Sequence, residues 1–162
     1  MIDAGPHAWV AGPDEAATVA RLLTGFRDHL GKDWPSDNAF LAGVEKLIAQ
    51  RDTVFVIGSA DPDAPPAGVV ALRFRHSLWT AADDCLIEDV FVADDARGSG
   101  LGRALMVAAL DVARKRGCRR AELDVNEANP AALGLYESLG FGRKSTPWDG
   151  RDLFLNIRLD EH

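Results

Sequence analysis

Two rhythms of apolar residues run along this chain, a period of two and a period near 3.6. They divide it into strands and helices. His7–Ala11 has the character of a short first strand. From Pro13 to Leu30 the apolar positions Val19, Leu22, Leu23, Phe26 and Leu30 recur at helical spacing, and Gly31 closes that helix. The connector Lys32–Pro35 leads to Ser36, an N-cap residue. The helix after it carries Phe40, Val44, Leu47 and Ile48 on one face. Thr53–Ser59, rich in β-branched and aromatic residues, predicts a strand. The run ADPDAPP, Ala60–Pro66, predicts a turn, because three prolines in seven residues cannot sit in a hydrogen-bonded ladder. Val69–Arg75 then forms the second arm of a hairpin. After a loop at Ser77–Asp84, the apolar run Leu86–Val92 predicts a central strand.

A polar turn, Ala93–Arg97, and three glycines at alternate positions, Gly98, Gly100 and Gly102, follow that strand. Behind them Leu101, Leu105, Ala108 and Val112 line a long helix that runs to Arg116 and stops at Gly117. Ala121–Val125 is the next strand. Its crossover through the long helix makes a parallel, right-handed βαβ unit. Asn129 and Pro130 open a further helix that ends at Gly140. After a turn at Pro147–Gly150, Arg151–Leu159 predicts a closing edge strand. Hairpins in the first half and helix-linked strands in the second predict a single α/β (α+β) domain over 1–162. Its mixed sheet would have six to seven strands and helices on both faces.

Composition narrows the functional classes. With 162 residues, 47% of them apolar, the chain can bury one ample core. A net charge of −7 argues against nucleic acid or an acidic membrane as partner. Two cysteines, Cys85 and Cys118, and four scattered histidines show no metal-ligand spacing, so no metal is expected. No apolar run reaches the roughly 18 residues of a membrane span, and no leader pattern is visible at MIDAGPH; the expected compartment is the cytoplasm.

A strand feeding a glycine-rich turn and a helix N-terminus makes an anion site. The first helical N–H groups lack partners, and the macrodipole adds positive charge there. Three phosphate motifs compete for it. A P-loop requires a Lys, and none occurs between Leu86 and Arg114. A dinucleotide fingerprint requires a third glycine where Arg103 stands and a first glycine directly after the strand, whereas five residues intervene here; Asp124, about 20 residues on, is its one favourable feature. The segment Arg97–Gly102, RGSGLG, resembles the R/Q-x-x-G-x-G/A loop of the GNAT family of N-acetyltransferases. Asn129–Phe141, NPAALGLYESLGF, resembles that family's second signature, in the family's order and spacing.

The resemblance implies acetyl-CoA as co-substrate. Arg97, Gly98, Ser99, Gly100, Leu101, Gly102 and Arg103 would lie at its pyrophosphate. Backbone groups of Val90, Phe91 and Val92, on a strand splayed from its neighbour, would lie along the pantetheine, and Asn129 and Tyr136 would stand on the flanking helix. It implies an acceptor pocket walled by the first two helices, with Asp33, Trp34 and Asp37 as candidate contacts. A homodimer is common in the family. Spacing from Glu88 to the loop, and from the loop to Tyr136, is closest to the diamine and polyamine branch, where the carboxylate corresponding to Glu88 is the base and the tyrosine protonates the leaving thiolate. Asp89 is adjacent, and strand alternation sends the two carboxylates to opposite faces; both could instead bind water or Arg73 or Arg75. Six acids between Asp83 and Asp95 suggest a rim that attracts cationic amines. The expected function is acetyl transfer to a primary amine of a small, cationic molecule. A peptide acceptor, or an acetyl-CoA-binding module without catalysis, is the alternative.

Overall fold

A computed structural model describes residues 5–143 and 149–160. Its strands are β1 (His7–Val10), β2 (Thr53–Ser59), β3 (Gly68–Ser77), β4 (Ala82–Val92) and β5 (Arg120–Leu123). They form one sheet in the order β1-β2-β3-β4-β5. The first four pair antiparallel and β4 pairs parallel with β5. The helices are α1 (Ala16–His29), α2 (Asp37–Ile48), α3 (Leu101–Lys115) and α4 (Pro130–Ser138).

The helices cover both faces because the strands are apolar on both. On one face Phe55, Ile57, Val69, Ala71 and Phe91 pack with Val19, Leu22 and Leu23 of α1 and Val44 of α2. On the other, Val56, Val70, Leu72, Cys85 and Ile87 pack with Leu101, Leu105, Met106 and Ala109 of α3 and with Tyr136 of α4. Local signals set the helix ends. The Ser36 hydroxyl accepts the N–H of Ala39, the Asn129 side chain accepts that of Ala132, and Gly117 and Gly140 take left-handed φ angles of 79° and 99°.

Three expectations change. Leu30, placed on the buried face of the first helix, is half exposed, because α1 ends at His29. The β3–β4 hairpin is longer than expected, leaving only residues 78–81 as its turn. Arg151–Leu159 is not a strand, and the described sheet therefore has five strands rather than six or seven. Leu153, Leu155 and Ile157 alternate as a strand would, yet each is at least 70% exposed. Alternation alone does not hold a strand; it needs a ladder partner, and this segment has none among the described residues. Of the turn expected at 147–150, residues 147 and 148 lie outside the described ones.

One end of the β4–β5 pair is clamped by charge. Asp84 is fully buried and faces Arg120 across the ladder. Its carboxylate accepts Nε–H of Arg120 at 3.0 Å and the hydroxyl of Thr80 at 2.9 Å. Burial alone would raise the Asp84 pKa, but the bonds from Arg120 and Thr80 outweigh it and hold the carboxyl below its usual range. Stability from a depressed carboxylate is present above its unfolded pKa and is lost as pH falls through the folded one, so this clamp releases only in acid below about pH 4. Asp84→Ala is expected to lower Tm by roughly 10 °C at neutral pH. A melt unchanged from the parent would show that the pair holds nothing.

Candidate active site

The site is built around a defect in β4. Ile87 pairs with Leu72 and Asp89 with Ala71, which leaves Glu88 as an extra residue, a β-bulge. The phase of the strand flips there. Before the bulge Cys85 and Ile87 face α3; after it Val90 and Val92 do. Glu88 and Asp89 are therefore not on opposite faces, as simple alternation requires. Both open toward α1 and α2, into one cavity. The extra residue carries no glycine or proline to mark it, and the Glu-Asp dipeptide in an apolar run is its only trace in the sequence.

The cavity has a volume of about 160 Å³ and is walled by α1, α2, β2, β3 and β4. Neither Glu88 nor Asp89 has an ion-pair partner or a side-chain hydrogen bond among the described residues, although Arg73 also lines the cavity. Burial raises the Asp89 pKa, and the neighbouring charge of Glu88 raises it further. The other four acids of the expected rim lie elsewhere. Asp84 is neutralised by Arg120, Asp83 lies 3.7 Å from His76, Asp94 lies 3.3 Å from Arg97, and Asp95 stands exposed in the turn. Trp34 is 67% exposed and Asp37 is bound to Arg27 at 2.7 Å, and neither these two nor Asp33 lines the cavity.

The same bulge ends the pairing of β4 with β5. Their last pair is Ile87 with Leu123, so the backbone edge of 88–92 that faces away from β3 has no strand beside it. This is the expected splay. Phe91 turns its ring into the core against Phe26, at 5.3 Å between centroids, and leaves only its backbone to the cleft. Val90 and Val92 pack toward α3 and α4. Arg97 donates through Nε to the Val92 carbonyl at 3.2 Å and so ties the strand end to the turn.

Gly98 and Gly100 have φ of 78° and 88°, the left-handed region that favours glycine. The N–H groups of Gly98, Ser99 and Gly100 find no acceptor among the described residues. A Cβ at Gly98 would meet nothing within 4 Å, and one at Gly100 would meet only Pro6, at 3.5 Å. This open cradle of free N–H groups at the α3 N-terminus fits a pyrophosphate. Ser99 supports it from behind, donating its hydroxyl to the Ala96 carbonyl and accepting the N–H of Leu101, whose side chain is core. Gly102 lies close to Val92 and Leu135, where β4, α3 and α4 meet. Arg103 donates to the Ser138 hydroxyl at 2.6 Å, and Asn129 is engaged as the α4 cap; both hold α4 in place.

The Tyr136 ring is buried, edge-on to Phe141 at 6.0 Å. Its hydroxyl has no partner among the described residues, yet it is not sealed from solvent. Burial raises its pKa, so it holds its proton at neutral pH and can donate it. Cys85 is buried, its thiol pushed up to about 12 by burial and by nearby Cys118, which removes it as a nucleophile. Among the described residues no group of His, Cys, Asp and Glu is placed to hold a metal, and no helix is long and apolar enough to cross a membrane.

A mixed sheet whose parallel pair splays beside a glycine-rich helix N-terminus combines an open strand edge with an anion cradle. The chain belongs to the acetyltransferase (GNAT) family, whose model matches residues 19–141. It is 56% identical over 145 residues to the mycothiol acetyltransferase of Thermobispora bispora, covering 82% of this chain but 44% of that protein. The chain thus spans less than half the length of that relative. It is 28% identical to the aminoglycoside N(6′)-acetyltransferase type 1 of Stenotrophomonas maltophilia, over 87% of this chain and 89% of that one. The structure of an Arthrobacter sp. FB24 protein assigned as an acetyltransferase superposes at a TM-score of 0.82, with 28% identity over 94% of this chain and 95% of its own. The aminoglycoside N-acetyltransferase AAC(6′)-Iy, solved with CoA, shares the fold at a TM-score of 0.72 and 22% identity, over 96% of this chain and 97% of its own.

A carboxyl whose folded pKa is raised lowers stability while ionised, and that penalty disappears as pH falls through the raised value. Asp89→Asn is therefore expected to raise Tm at pH 7 to 8, with the gain shrinking toward pH 4. A destabilised Asp89→Asn at neutral pH would mean that the carboxylate has a partner.

Proposed function

We propose that the protein moves the acetyl group of acetyl-CoA directly to a primary amine of a small, cationic molecule. The observation that carries this reading is the pair Glu88 and Asp89. It lies unpartnered in a cavity on one face of β4, while the free edge of the same strand borders the cleft beside the glycine cradle. Acetyl-CoA, when bound, supplies an activated thioester. The residues that would hold it are Arg97–Arg103 at the pyrophosphate and the backbone of 88–92 along the pantetheine. A backbone N–H directed at a developing oxyanion is worth about 3 kcal/mol.

The acceptor arrives protonated. An alkylamine with a pKa near 10 is neutral in roughly one molecule per thousand at pH 7, so a base is required. Glu88 is the base in this reading, directly or through a water, and Asp89 shares the ammonium charge. Tyr136 donates its proton to the departing thiolate. Both cysteine thiols are raised by burial, which supports direct transfer over a relay through an acyl-cysteine. The motif spacing that resembles the diamine and polyamine branch fits a small-molecule acceptor. So do relatives named for mycothiol, streptothricin and aminoglycosides.

Acetyl-CoA is expected to raise Tm by mass action, and NADH is not. Tyr136→Phe should lower kcat by roughly 10- to 1000-fold with little change in acetyl-CoA affinity. An unaltered kcat with a saturating amine would leave the ring as packing only. Glu88→Gln should lower kcat/KM at neutral pH and lose less as pH nears the amine's own pKa. An equal loss at every pH would mark Glu88 as a binding group rather than a base.

A further inference from the structure

The cavity that presents Glu88 and Asp89 has a second property, which comes from α2. Phe40, Gly43, Val44 and Leu47 stand at i, i+3, i+4 and i+7, one face of the helix, and all four line the cavity. The second of these positions is glycine, although its conformation does not require one: its φ is not positive. A glycine inside a helix costs about 1 kcal/mol relative to alanine. A Cβ built at Gly43 meets nothing within 4 Å. The absence of a side chain there leaves open space in a face that is otherwise apolar. Leu23 of α1, Phe55 of β2 and Ala71 of β3 continue the apolar lining, and all three are buried. Of the eleven lining residues only Thr53, Arg73, Glu88 and Asp89 are polar.

We infer that this cavity selects amines by their apolar group. It takes a primary ammonium at Glu88 and Asp89 whose remaining body is an alkyl chain or single ring of about six carbons, seated against Phe40, Gly43, Val44 and Leu47. The size follows from the volume. At about 160 Å³ the cavity is comparable to an apolar cavity of about 150 Å³ that accepts benzene. The polarity follows from the lining, whose α2 wall is wholly apolar and whose polar side chains are confined to Thr53, Arg73 and the two carboxylates on the strands. A polyhydroxylated amine placed there would lose its hydration without replacement, whereas a hydrocarbon tail gains from burial. This inference rests on the reading of the cavity as the acceptor site and specifies the acceptor's class.

The test uses n-alkylamines from ethylamine to hexylamine, 2-phenylethylamine, putrescine and kanamycin. Each is measured two ways: binding by calorimetry, and thiol release from acetyl-CoA. Affinity for the n-alkylamines should rise about fourfold per added methylene, the equivalent of about 0.8 kcal/mol of burial. 2-Phenylethylamine should bind at least tenfold more tightly than putrescine or kanamycin. In Gly43→Leu the new side chain occupies the cavity. That variant should fold with an equal or higher Tm, because it replaces a helical glycine and fills a void, and its gain in affinity with chain length should be lost. Gly43→Ala, a smaller intrusion, should lose part of it. A flat chain-length series in the parent, a preference for putrescine or kanamycin, or a series that survives in Gly43→Leu would each overturn the inference. The calorimetric arm decides the point on its own. If long-chain amines bind and are displaced by Gly43→Leu while no amine releases thiol, the specificity stands and the catalytic reading fails.

Discussion

One extra residue in one strand, the bulge at Glu88, sets up both halves of this site. A regular β4 would pair with β5 along its length and would alternate its side chains between the two helical layers. The bulge ends both regularities at once. Beyond it the edge of β4 separates from β5, and two consecutive carboxylates turn to the same side. Bulges bend the strand that carries them, and they recur where a sheet must re-aim a side chain or stop pairing. Here one distortion does both, and the two consequences fall on opposite sides of the strand.

The two substrates are thereby separated by function and joined by chemistry. In the proposed function the edge and face of β4 toward α3 and α4 would take the acyl donor, with the glycine cradle at the N-terminus of α3 and Tyr136 on α4. The face toward α1 and α2 would take the amine. The Asp84–Arg120 pair holds β4 and β5 together just before they part, as the hinge of a wedge is held. The carboxylates themselves add little to stability: neither has an ion-pair partner among the described residues although Arg73 shares their cavity, and burial raises the pKa of Asp89. A fold that retained them for packing alone would have neutralised them, as it neutralised Asp84. Unpaired charge of this kind is tolerated where a ligand completes it.

The sequence made the periodic parts legible. Thr53–Ser59 was readable residue for residue from its β-branched run, and the caps at Ser36, Asn129, Gly117 and Gly140 fall where their side-chain chemistry places them. The glycine loop was readable because free helical N–H groups and left-handed φ angles are local properties. What failed was non-local. The bulge depends on how many residues of β3 oppose β4, which no single strand states, so the alternation rule misplaced Asp89. The acidic run between Asp83 and Asp95 looked like one rim, yet partners on neighbouring strands, Arg120 for Asp84 and His76 for Asp83, divided it. Arg151–Leu159 has a strand's alternation but no ladder beside it. Gly43 carries no signal of its own in the sequence, because its effect is visible only once α2 lies on β2 and β3.

Deleting Glu88 tests the bulge most directly. Removal of that single residue restores regular alternation, since Ile87 already faces α3 and Asp89 already faces α2, and the fold is expected to survive with a cooperative melt. Acetyl-CoA affinity, measured by calorimetry, should then fall at least tenfold, because β4 can pair onward with β5 and close the cleft. Glu88→Ala, which keeps the residue count and loses only the carboxylate, should bind acetyl-CoA as the parent does. If the folded deletion variant binds acetyl-CoA as tightly as Glu88→Ala, the bulge does not open the cleft and the account is wrong.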